Sequence, residues 1–568
     1  MPVGNPAVAD LTATTAWSRA LLLKTNATGG LASLGLPVYN TDDYADDVDA
    51  LVTAAGAGPY VVNVNSDSVV SANTTTDDDI VWTFQPGCTV TVNTGVTLTI
   101  ESPEHIQAGQ RHSCFALAGT GAVAFTKAGT VYPQWWGAVA DGATDDAAAI
   151  QAAIDAVTAG SVVDFPAGTY GLASALAPKS FVTMRGQGLA TVLYALAANA
   201  DAIFQTAVQY ERGVIEGFAF RSADKDVSVL ENTATTTYIA YLRMRDCEVY
   251  SEFDVAIAGL FGSCLFENIR FGYLGTPGTN WQPVKLVGPS SGKNIFSNTF
   301  VHCNFYHGTS TVDGMVQLET GWAQTFIGCV FEQSNCRALY AKGVQSIELY
   351  ECNFEHLLCN GHTYNAAVYL TIDSALAQGS SAVFRSCKFQ NNAATVWDAV
   401  CCTYNATFVS FESCSGSLGS KYFSMWPGPL YDEANPGLFR LTNNRCVSYG
   451  GTAPSVYQQY PITVGGIKHT GETVTPMETL PVNDATPSIN NGTFFTMSGG
   501  TGATVTTLDD GVDGQHVIIY VIGSQYTIDF SGGGNLKGNG GVDAVGPGRL
   551  DAIYDGTNNL WHCQWEGY

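Results

Sequence analysis

The sequence predicts an all-β protein whose central part is a parallel β-helix, a solenoid built by adding one turn of strands at a time. Three observations lead to this prediction: only 13% of the 568 residues are charged, 61 are glycine, and a short cysteine-containing motif recurs along the middle of the chain. Few charges and many glycines are typical of β proteins with many tight turns. A motif recurring about every 20 to 50 residues is typical of a solenoid, because each unit buries its apolar side only against its neighbours.

The motif consists of an apolar residue, two variable positions, a cysteine, one variable position and a second apolar residue. CVFE at 329–332 and CNFE at 352–355 contain its clearest copies. The cysteine and the apolar residue two places later should point to the same side, as alternate residues of one strand do. We therefore expect one strand per copy and an interior ladder of cysteines acting as small apolar side chains. Copies are 22 to 35 residues apart, with central positions Cys247, Ile269, Cys303, Cys329, Cys352, Cys387, Cys414 and Cys446.

A disulfide framework or a metal site could also produce recurring cysteines. The chain has 15 cysteines, an odd number spread over a long sequence, so reduced thiols are expected. A zinc site could use Cys352, His356, Cys359 and His362, which fall within eleven residues. The ladder is favoured, because it turns Cys352 inward and away from the other three. We therefore predict no metal ion and no cofactor.

The charge balance restricts the partners. Twenty-four Lys and Arg against 50 Asp and Glu give a formal net charge of -26, which disfavours nucleic acid and anionic membranes. The N-terminus has neither the basic nor the apolar segment of a signal peptide, and no apolar run approaches the ~18 residues of a membrane span. The acidic clusters at 76–79 and 508–514 lack the spaced ligands of a calcium loop, so solvated turns are predicted there.

The pattern along the chain predicts a short helix within the region around residues 145–157. Thr144 or Asp145 can cap its N-terminus, and Ala147, Ile150 and Ile154 lie on one apolar stripe. Changes in composition then divide the chain into five parts. These are an N-terminal attachment or linker segment (1–40), a β-rich region (41–131), the β-helix (132–455), a linker (456–480) and a C-terminal β domain (481–568).

Four short motifs around this helix resemble the start of the right-handed β-helix in pectate-lyase-like bacteriophage tailspikes and tail fibres. They are WWGA at 135–138, DGATDD at 141–146, AIQAAID at 149–155 and FPAGTY at 165–170. Residues 18–36 and the strands of the C-terminal region resemble the ends of such proteins. The resemblance implies a right-handed parallel β-helix with a capping helix, a trimerising C-terminal β-sandwich and a homotrimer. It also implies that the N-terminus docks on phage tail or baseplate proteins, and that the protein is assembled in the bacterial cytoplasm as part of the virion tail.

The outward positions next to the motif suggest a site for a glycan. The residue after the second apolar position should point outward, and in consecutive copies it is Tyr306, Glu332, Glu355 and Gln390. Two carboxyl groups on adjacent turns suit glycoside hydrolysis, which uses a carboxyl pair about 5 to 9 Å apart. We predict Glu332 and Glu355 as catalytic residues. The predicted substrate-binding residues are Tyr306, Trp322, His356 and Gln390. His307, like His356 and Tyr306, is a candidate proton carrier, and Trp281, like Trp322, is a candidate sugar-stacking platform. Solvated glutamates at a turn are the structural alternative.

These expectations describe a tailspike that binds and depolymerises a bacterial surface polysaccharide, either capsule or lipopolysaccharide, during adsorption to the host. Hydrolysis is favoured over lyase chemistry, because an acidic protein does not attract an anionic glycan at long range. A receptor-binding or structural tail fibre without enzymatic activity is the alternative, and a free bacterial polysaccharide lyase is less favoured.

Overall fold

The structure is a computed structural model of the chain. It describes residues 36–357 except 78, 200, 224–226, 273, 276, 278–279 and 289–293, and then 366–371, 380–390, 398–402, 408–417, 438–442, 445–446, 478–480, 484–489, 494–497, 504–521, 526–538, 541–545 and 547–567. The chain divides into two compact units, Met1–Ser410 with Trp426–Leu438, and Phe411–Met425 with Phe439–Tyr568. The predicted segment 1–40 and linker 456–480 lie almost wholly outside the described residues.

Short strands before residue 131 already wind as a solenoid. They form three small sheets that the chain visits in turn, and their pairings are parallel. The strands are Val38–Asn40, Tyr60–Val64, Ile80–Phe84 and Ile106–Gln107 in the first sheet, Ser68–Val70, Val90–Val92 and Phe115–Leu117 in the second, and Thr74–Thr76, Thr97–Ile100 and Ala122–Phe125 in the third. This region also contains the helix Val48–Ala55 and the 3-10 turns Thr41–Tyr44 and Pro103–His105.

The predicted helix is present as Ala147–Ala156, and it packs on the strand Ala122–Phe125 and the 3-10 turn Pro133–Trp136. Neither helix in the described ranges has the length and apolar character needed to span a bilayer.

The start of this helix differs from the prediction. Asp146 occupies the N-cap position, whereas Thr144 and Asp145 belong to the strand Asp141–Asp145. The Asp146 carboxylate is buried and accepts two backbone N–H groups of the preceding loop, at 2.7 and 3.0 Å. Asp146 therefore fastens that loop, and the Asp145 carboxylate accepts the N–H of Ala147, the first helical residue.

The body of the first unit is a three-sided solenoid in which each turn, or rung, from Thr183–Arg185 onward contributes to three parallel sheets, while the first two rungs contribute strands to two of them. Sheet A contains Thr130–Val131, Val162–Asp164, Thr183–Arg185, Val214–Glu216, Arg243–Arg245, Leu265–Glu267, Thr299–Val301, Gln324–Ile327, Ile347–Tyr350 and Ser381–Arg385. Sheet B contains Asp141–Asp145, Gly168–Leu172, Thr191–Ala195, Ala219–Ser222, Glu248–Val249, Arg270–Phe271, Asn304–Tyr306, Val330–Ser334, Asn353–Leu357 and Lys388–Gln390.

Sheet C closes each rung. Its strands are Ala202–Thr206, Ser228–Asn232, Val255–Gly259, Gln282–Val287, Gly314–Trp322, Arg337–Val344, Ala366–Thr371 and Asp398–Cys402. A side row precedes the corner to sheet A and contains Tyr210–Glu211, Ile239–Ala240, Phe261–Gly262 and Ile295–Phe296. The long strand Gly314–Trp322 pairs with both rows. A 3-10 turn at Gly188–Ala190 precedes the sheet B strand Thr191–Ala195.

The recurring motif is a corner joining two strands, so the prediction of one strand per copy is wrong. In one rung Phe326 lies in sheet A, Gly328 takes a left-handed conformation (φ 60°), and Phe331 lies in sheet B. Cys329 sits at the corner between them, fully buried. The period of the motif predicted the solenoid correctly, but the left-handed residue before the cysteine breaks the strand there.

The interior consists of stacked phenylalanines and buried thiols. The rings of Phe266, Phe300 and Phe326 stack under sheet A, and those of Phe271, Phe305, Phe331, Phe354 and Phe389 stack under sheet B. Neighbouring ring centres are 4.8–5.2 Å apart. Four corner thiols donate to the carbonyl of the apolar sheet A residue one rung earlier, at 3.4–3.6 Å: Cys303, Cys329, Cys352 and Cys387. Burial raises the pKa of the Cys303 and Cys352 thiols, which therefore stay protonated inside the core.

The outer face of sheet A carries a column of alternating charge. Asp164, Arg185, Glu216, Arg245 and Glu267 face one another on consecutive rungs. Arg185 pairs with Asp164 at 3.2 Å, and Arg245 pairs with Glu216 at 2.6 Å. Opposite charges in register stabilise neighbouring strands, so this column contributes to the stacking of rungs.

The second unit contains a β-sandwich. A six-stranded sheet contains Glu478–Thr479, Phe494–Met497, His516–Val521, Gly548–Asp555, Leu560–Gly567 and Leu536–Gly538, and a three-stranded sheet contains Thr504–Val505, Thr527–Ile528 and Ala544–Val545. Both contribute to one apolar core that includes Phe495, Ile528 and Trp561. Ser415–Ser417 pairs with Arg445–Cys446 in this unit, while Phe408–Glu412 and Leu438–Thr442 contain residues of both units. The predicted all-β fold with a parallel β-helix is confirmed.

Candidate functional site

Four polar side chains form one outward column along the C-terminal parts of four consecutive sheet B strands. Tyr306 faces Glu332, Glu332 faces Glu355, and Glu355 faces Gln390 in the strand register. The inward residues immediately before the first three are the stacked phenylalanines Phe305, Phe331 and Phe354, with ring centres 4.8 and 5.0 Å apart. The core stack therefore fixes the spacing at which the outward side chains follow one another.

A left-handed residue at the end of each strand doubles the number of side chains this column presents. These residues, His307, Gln333 and His356, have φ of 60°, 52° and 51°. The strands keep their register on both sides of Gln333 and His356, and the left-handed backbone directs two consecutive side chains away from the core. Glu332 and Glu355 consequently lie beside a parallel column that contains two imidazoles and an amide.

His356 connects the two carboxyl groups. Its Nδ1 lies 3.6 Å from Oε1 of Glu355 and 4.0 Å from Oε1 of Glu332. The two Oε1 atoms are therefore at most 7.6 Å apart, the sum of 3.6 and 4.0 Å. The glutamate side chains are 24% and 23% exposed and His356 is 39% exposed, so a ligand can reach all three.

Side-chain amides hold both carboxylates. Gln333 donates to Oε1 of Glu332 at 3.2 Å, and Asn353 donates to Oε2 of Glu355 at 3.1 Å. These donors restrict the carboxylate rotamers.

His307 differs from His356 in its surroundings. Burial lowers the pKa of His307, and the negative charge of Glu332 acts in the opposite direction without cancelling this effect. A lowered pKa keeps the imidazole neutral near pH 7, so it can accept a proton or a hydrogen bond there. It lies one rung before Gln333 in the column of left-handed residues.

Trp281 does not belong to the outward surface, so its candidacy as a sugar-stacking platform is wrong. Its side chain is fully buried, and its indole N–H donates to the backbone carbonyl of Tyr306 at 2.9 Å. Gly272 leaves room for this indole, because a Cβ there would lie 2.7 Å from its Nε1. Trp281 therefore positions the backbone of the column from beneath.

Trp322 is exposed, but it lies elsewhere on the solenoid. It ends the strand Gly314–Trp322, ahead of the corner to sheet A, and is 43% exposed. The sheet A strand Gln324–Ile327 and the following corner separate it along the rung from Glu332 in sheet B. The structure thus brings Tyr306, Glu332, Glu355, His356 and Gln390 together and leaves Trp322 on a different face.

The alternative zinc site is not assembled by the described residues. The Cys352 thiol points into the core and donates to two backbone carbonyls, whereas His356 points outward to the glutamates. Cys359 and His362 lie outside the described residues. Within the described ranges, no group of three or more His, Cys, Asp and Glu side chains is placed to hold a metal ion.

Gln333 and Asn353 were not anticipated from the sequence as parts of this site. Asn353 could have been anticipated, because it lies two residues before Glu355 and therefore on the same face of the strand. Gln333 could not, because regular alternation would turn it inward, and only its left-handed backbone turns it outward.

Comparison with known proteins identifies the type of solenoid. Residues 135–241 match the family model described as rhamnogalacturonase A/epimerase, pectate lyase-like. The first rungs of the solenoid are therefore similar to this pectate-lyase-like family. No curated protein sequence matches the chain.

Several solved structures have a similar fold. The tailspike protein of Acinetobacter phage vB_ApiP_P1 is 17% identical with a TM-score of 0.47, covering 77% of this chain and 79% of its own. The A-module of the Azotobacter vinelandii mannuronan C-5 epimerase AlgE6 is 15% identical with a TM-score of 0.35, covering 56% of this chain and 99% of its own. PfbA, a surface adhesin of Streptococcus pneumoniae, is 12% identical with a TM-score of 0.35, covering 60% and 98%. Each of these TM-scores is below 0.5, and each likeness concerns the fold alone.

Proposed function

We propose that this protein is a tailspike-type β-helix that binds a bacterial surface polysaccharide, capsule or lipopolysaccharide, and hydrolyses it with Glu332 and Glu355. The observation that carries the proposal is the pair of glutamates in direct register, both within 4.0 Å of one imidazole nitrogen. The matched pectate-lyase-like segment supports a carbohydrate as the ligand class.

The glutamate pair opposes the stability of the sheet. Like charges directly opposite one another on neighbouring strands are destabilising. On sheet A the registered neighbours Asp164 and Arg185, like Glu216 and Arg245, have opposite charges and form ion pairs. Two registered carboxylates are therefore a departure from the pattern of the same solenoid, and departures of this kind concentrate at functional sites.

The geometry supports division of labour between the two carboxyl groups. In hydrolysis one carboxylic acid gives its proton to the leaving glycosidic oxygen. The other carboxylate either takes a proton from the attacking water or bonds to the anomeric carbon before water releases the sugar. Carboxyl separations are about 5 to 5.5 Å in retaining enzymes and about 6.5 to 9.5 Å in inverting enzymes. The 7.6 Å upper limit is compatible with the first class and with the shorter part of the second.

The neighbouring side chains have binding roles in this proposal. Tyr306 and Gln390 extend the column by one rung on each side of the glutamates, where they can contact the sugars flanking the scissile bond. His356 lies between the carboxylates and can donate to one of them while the other reacts.

The test is product release from a panel of purified bacterial capsules and lipopolysaccharides. New reducing ends would be measured, and ultraviolet absorbance would reveal the unsaturated sugar that a lyase forms. We expect the native chain to release reducing ends without that absorbance. Glu332→Gln and Glu355→Gln should each reduce the rate at least 100-fold, because removing a positioned proton-transfer group typically costs about 10² to 10⁴ in rate.

Glu267→Gln is the matched control. Glu267 is also an outward glutamate at the end of a strand in the same solenoid, and it pairs with Arg243 at 2.7 Å. Its substitution should leave the rate unchanged. Full activity in both Glu332→Gln and Glu355→Gln would move the active site elsewhere, and ultraviolet absorbance in the products would replace hydrolysis by elimination.

A binding protein without enzymatic activity is the second candidate function. The same column of a tyrosine, an amide and hydrogen-bonded carboxylates could hold a glycan without cleaving it. Retention of a polysaccharide with no product from any active host strain would favour this candidate. A free bacterial lyase is less favoured, because residues 18–36 and the C-terminal strands resemble parts of tailspikes and tail fibres.

The phage-specific features belong to the same proposal. A tailspike of this kind would be a homotrimer held together through its C-terminal β-sandwich. Its N-terminal segment would dock on tail or baseplate proteins, and the protein would act at the virion tail during adsorption. Mass measurement by light scattering tests the trimer, and a monomer at micromolar concentration would contradict it.

A further inference from the structure

A second set of side chains lies along the corner between the side row of sheet C and sheet A. Phe181, Arg212 and Tyr241 occupy the same corner position on three consecutive rungs, two residues before the registered sheet A residues Thr183, Val214 and Arg243. All three have left-handed backbones, with φ of 62°, 54° and 55°. The other left-handed residues of this corner are small: Gly160, Ser263, Ser297 and Ala323.

The bulky residues at this corner are unfavourable for the fold. A left-handed conformation is rare for aromatic residues, and such conformations cost about 1 to 3 kcal/mol each. Burial does not offset this cost, because Phe181 is 46% exposed and Tyr241 is 51% exposed. The later rungs make the same corner with serine or alanine, so the turn itself does not require an aromatic residue.

Arg212 provides an independent second observation. Its guanidinium lies over the Tyr241 ring, 4.8 Å from the ring centre, and its side chain is exposed. No acidic side chain in the described part of the chain forms an ion pair with it. Other outward arginines of the solenoid do pair: Arg185, Arg221, Arg243, Arg245 and Arg270 each have an aspartate or glutamate partner. The chain has a net charge of -26, so an acidic partner for an exposed arginine would be easy to supply. Arg212 instead lies between the rungs that expose Phe181 and Tyr241, without an ion-pair partner among the described residues, and this arrangement is typical of a recognition site.

We propose that Phe181, Arg212 and Tyr241 form a binding site for an acidic saccharide, separate from the glutamate column. The aromatic side chains would pack against the apolar faces of sugar rings, and the guanidinium would pair with a carboxylate of the saccharide. The solenoid repeats this corner at every rung, about 4.8 Å apart, as a polysaccharide repeats its sugars.

Trp322 extends this surface toward the later rungs. It immediately precedes Ala323, which holds the corner position three rungs after Tyr241. At about 4.8 Å per rung the two aromatic side chains are ~14 Å apart along the solenoid. We therefore assign Trp322, predicted from the sequence to bind substrate, to the corner site and not to the glutamate column.

The proposal rests on the polysaccharide-binding part of the proposed function but not on cleavage. Binding would be measured by isothermal titration calorimetry with full-length protein and oligosaccharides of galacturonate, mannuronate and hyaluronan, each beside its methyl ester. We expect at least one acidic oligosaccharide to bind, with the ester binding about tenfold or more weakly, because a charge-assisted hydrogen bond is lost.

Variants at the corner separate its contributions. Arg212→Gln and Tyr241→Ser should each weaken binding about tenfold or more, whereas Arg212→Lys should retain part of it. Tyr241→Ser should not lower the melting temperature, because Ser263 and Ser297 stand at the same position on later rungs. Arg221→Gln is the matched control and should leave this binding unchanged, because the Arg221 guanidinium also lies over a tyrosine ring but already pairs with Glu252. Binding is measured separately from the release of reducing ends, so failure of the cleavage proposal and failure of the corner site would give different results.

Three outcomes would overturn the proposal. The first is that the native chain binds none of the acidic oligosaccharides. The second is equal affinity for acid and ester, or unchanged affinity in both Arg212→Gln and Tyr241→Ser. The third is a smaller oligomer in light scattering of Tyr241→Ser with glycan affinity retained, which would make the corner a contact between copies of the chain.

Discussion

Replacing Phe331 by leucine should destabilise the solenoid by more than burial alone explains. Phe331 is fully buried and stacks on Phe305 at 4.8 Å and on Phe354 at 5.0 Å, with nearly parallel rings. Each aromatic pair contributes about 0.5 to 1.5 kcal/mol beyond the buried area. The Phe331 ring also contacts the Phe326 ring in a tilted arrangement, with centres 6.0 Å apart. Three lost pairs therefore predict about 1.5 to 4.5 kcal/mol of extra destabilisation. Leucine is a reasonable replacement, because Leu349 already occupies a comparable interior position in sheet A.

Phe253→Leu provides the matched control. Phe253 is also fully buried, but no ring contact is found for it among the described residues. Both variants lose the same atoms, so the difference between their free energies of unfolding isolates the stacking contribution. It would be measured by guanidinium unfolding followed by circular dichroism, with equal m-values as the condition for comparing the midpoints.

The two variants should also differ in activity. Glu332 directly follows Phe331, so a loosened stack would alter the spacing of the two carboxyl groups. We expect Phe331→Leu to slow polysaccharide cleavage and Phe253→Leu to leave it unchanged. Equal destabilisation of the two variants, within about 0.5 kcal/mol, would refute the stacking argument, because burial alone would then account for both.

Three further predictions follow from local structure. Gly272→Ala should destabilise the protein more than Gly87→Ala in thermal melts. Both glycines have φ near +80°, so both substitutions strain the backbone, but only at Gly272 would the new Cβ also clash with the Trp281 indole. Burial acts to raise the pKa of Asp49, but hydrogen bonds from hydroxyls and backbone amides outweigh it and lower that pKa. Its stabilising effect should therefore be complete above pH ~4 and be lost as pH falls through the lowered pKa, a dependence that Asp49→Asn should remove from melts at pH 2 to 6. Cys352 should resist iodoacetamide until the chain unfolds, and labelling of the native chain as fast as of the unfolded chain, judged by mass spectrometry, would contradict its burial.

The solenoid could be predicted from the sequence, because the residues that recur with its period are apolar side chains that must be buried. Apolar residues around Cys303, Cys329 and Cys352 recur at the spacing of the rungs, and each is buried as expected. The corner within the motif was not predictable by alternation. The apolar residue before the cysteine and the one after it belong to different sheets, and the left-handed residue between them is Gly in one rung and His302 or Glu351 in others.

The candidate site was predictable only where strand register determines it. Glu332 and Glu355 face each other because equivalent positions of a repeat must do so in parallel strands. The tryptophans were not predictable in this way. Trp281 lies at the end of the partly described segment 272–281, and Trp322 ends a strand of a different sheet. The period of the motif therefore sets neither position.

The comparison of columns indicates where function departs from the stability of this fold. Along sheet A, neighbouring outward charges alternate in sign, and the left-handed corner position is held by small residues on four other rungs, Gly160, Ser263, Ser297 and Ala323. Two places break these rules: Glu332 faces Glu355, and the corner of Phe181 and Tyr241 exposes aromatic side chains. In both places a more stable choice is present elsewhere in the same chain, an arginine opposite a carboxylate or a serine at the corner. Every rung of a solenoid provides the same backbone, so each departure can be compared directly with the equivalent position on neighbouring rungs. The two departures mark the surfaces on which the ligand experiments should be concentrated.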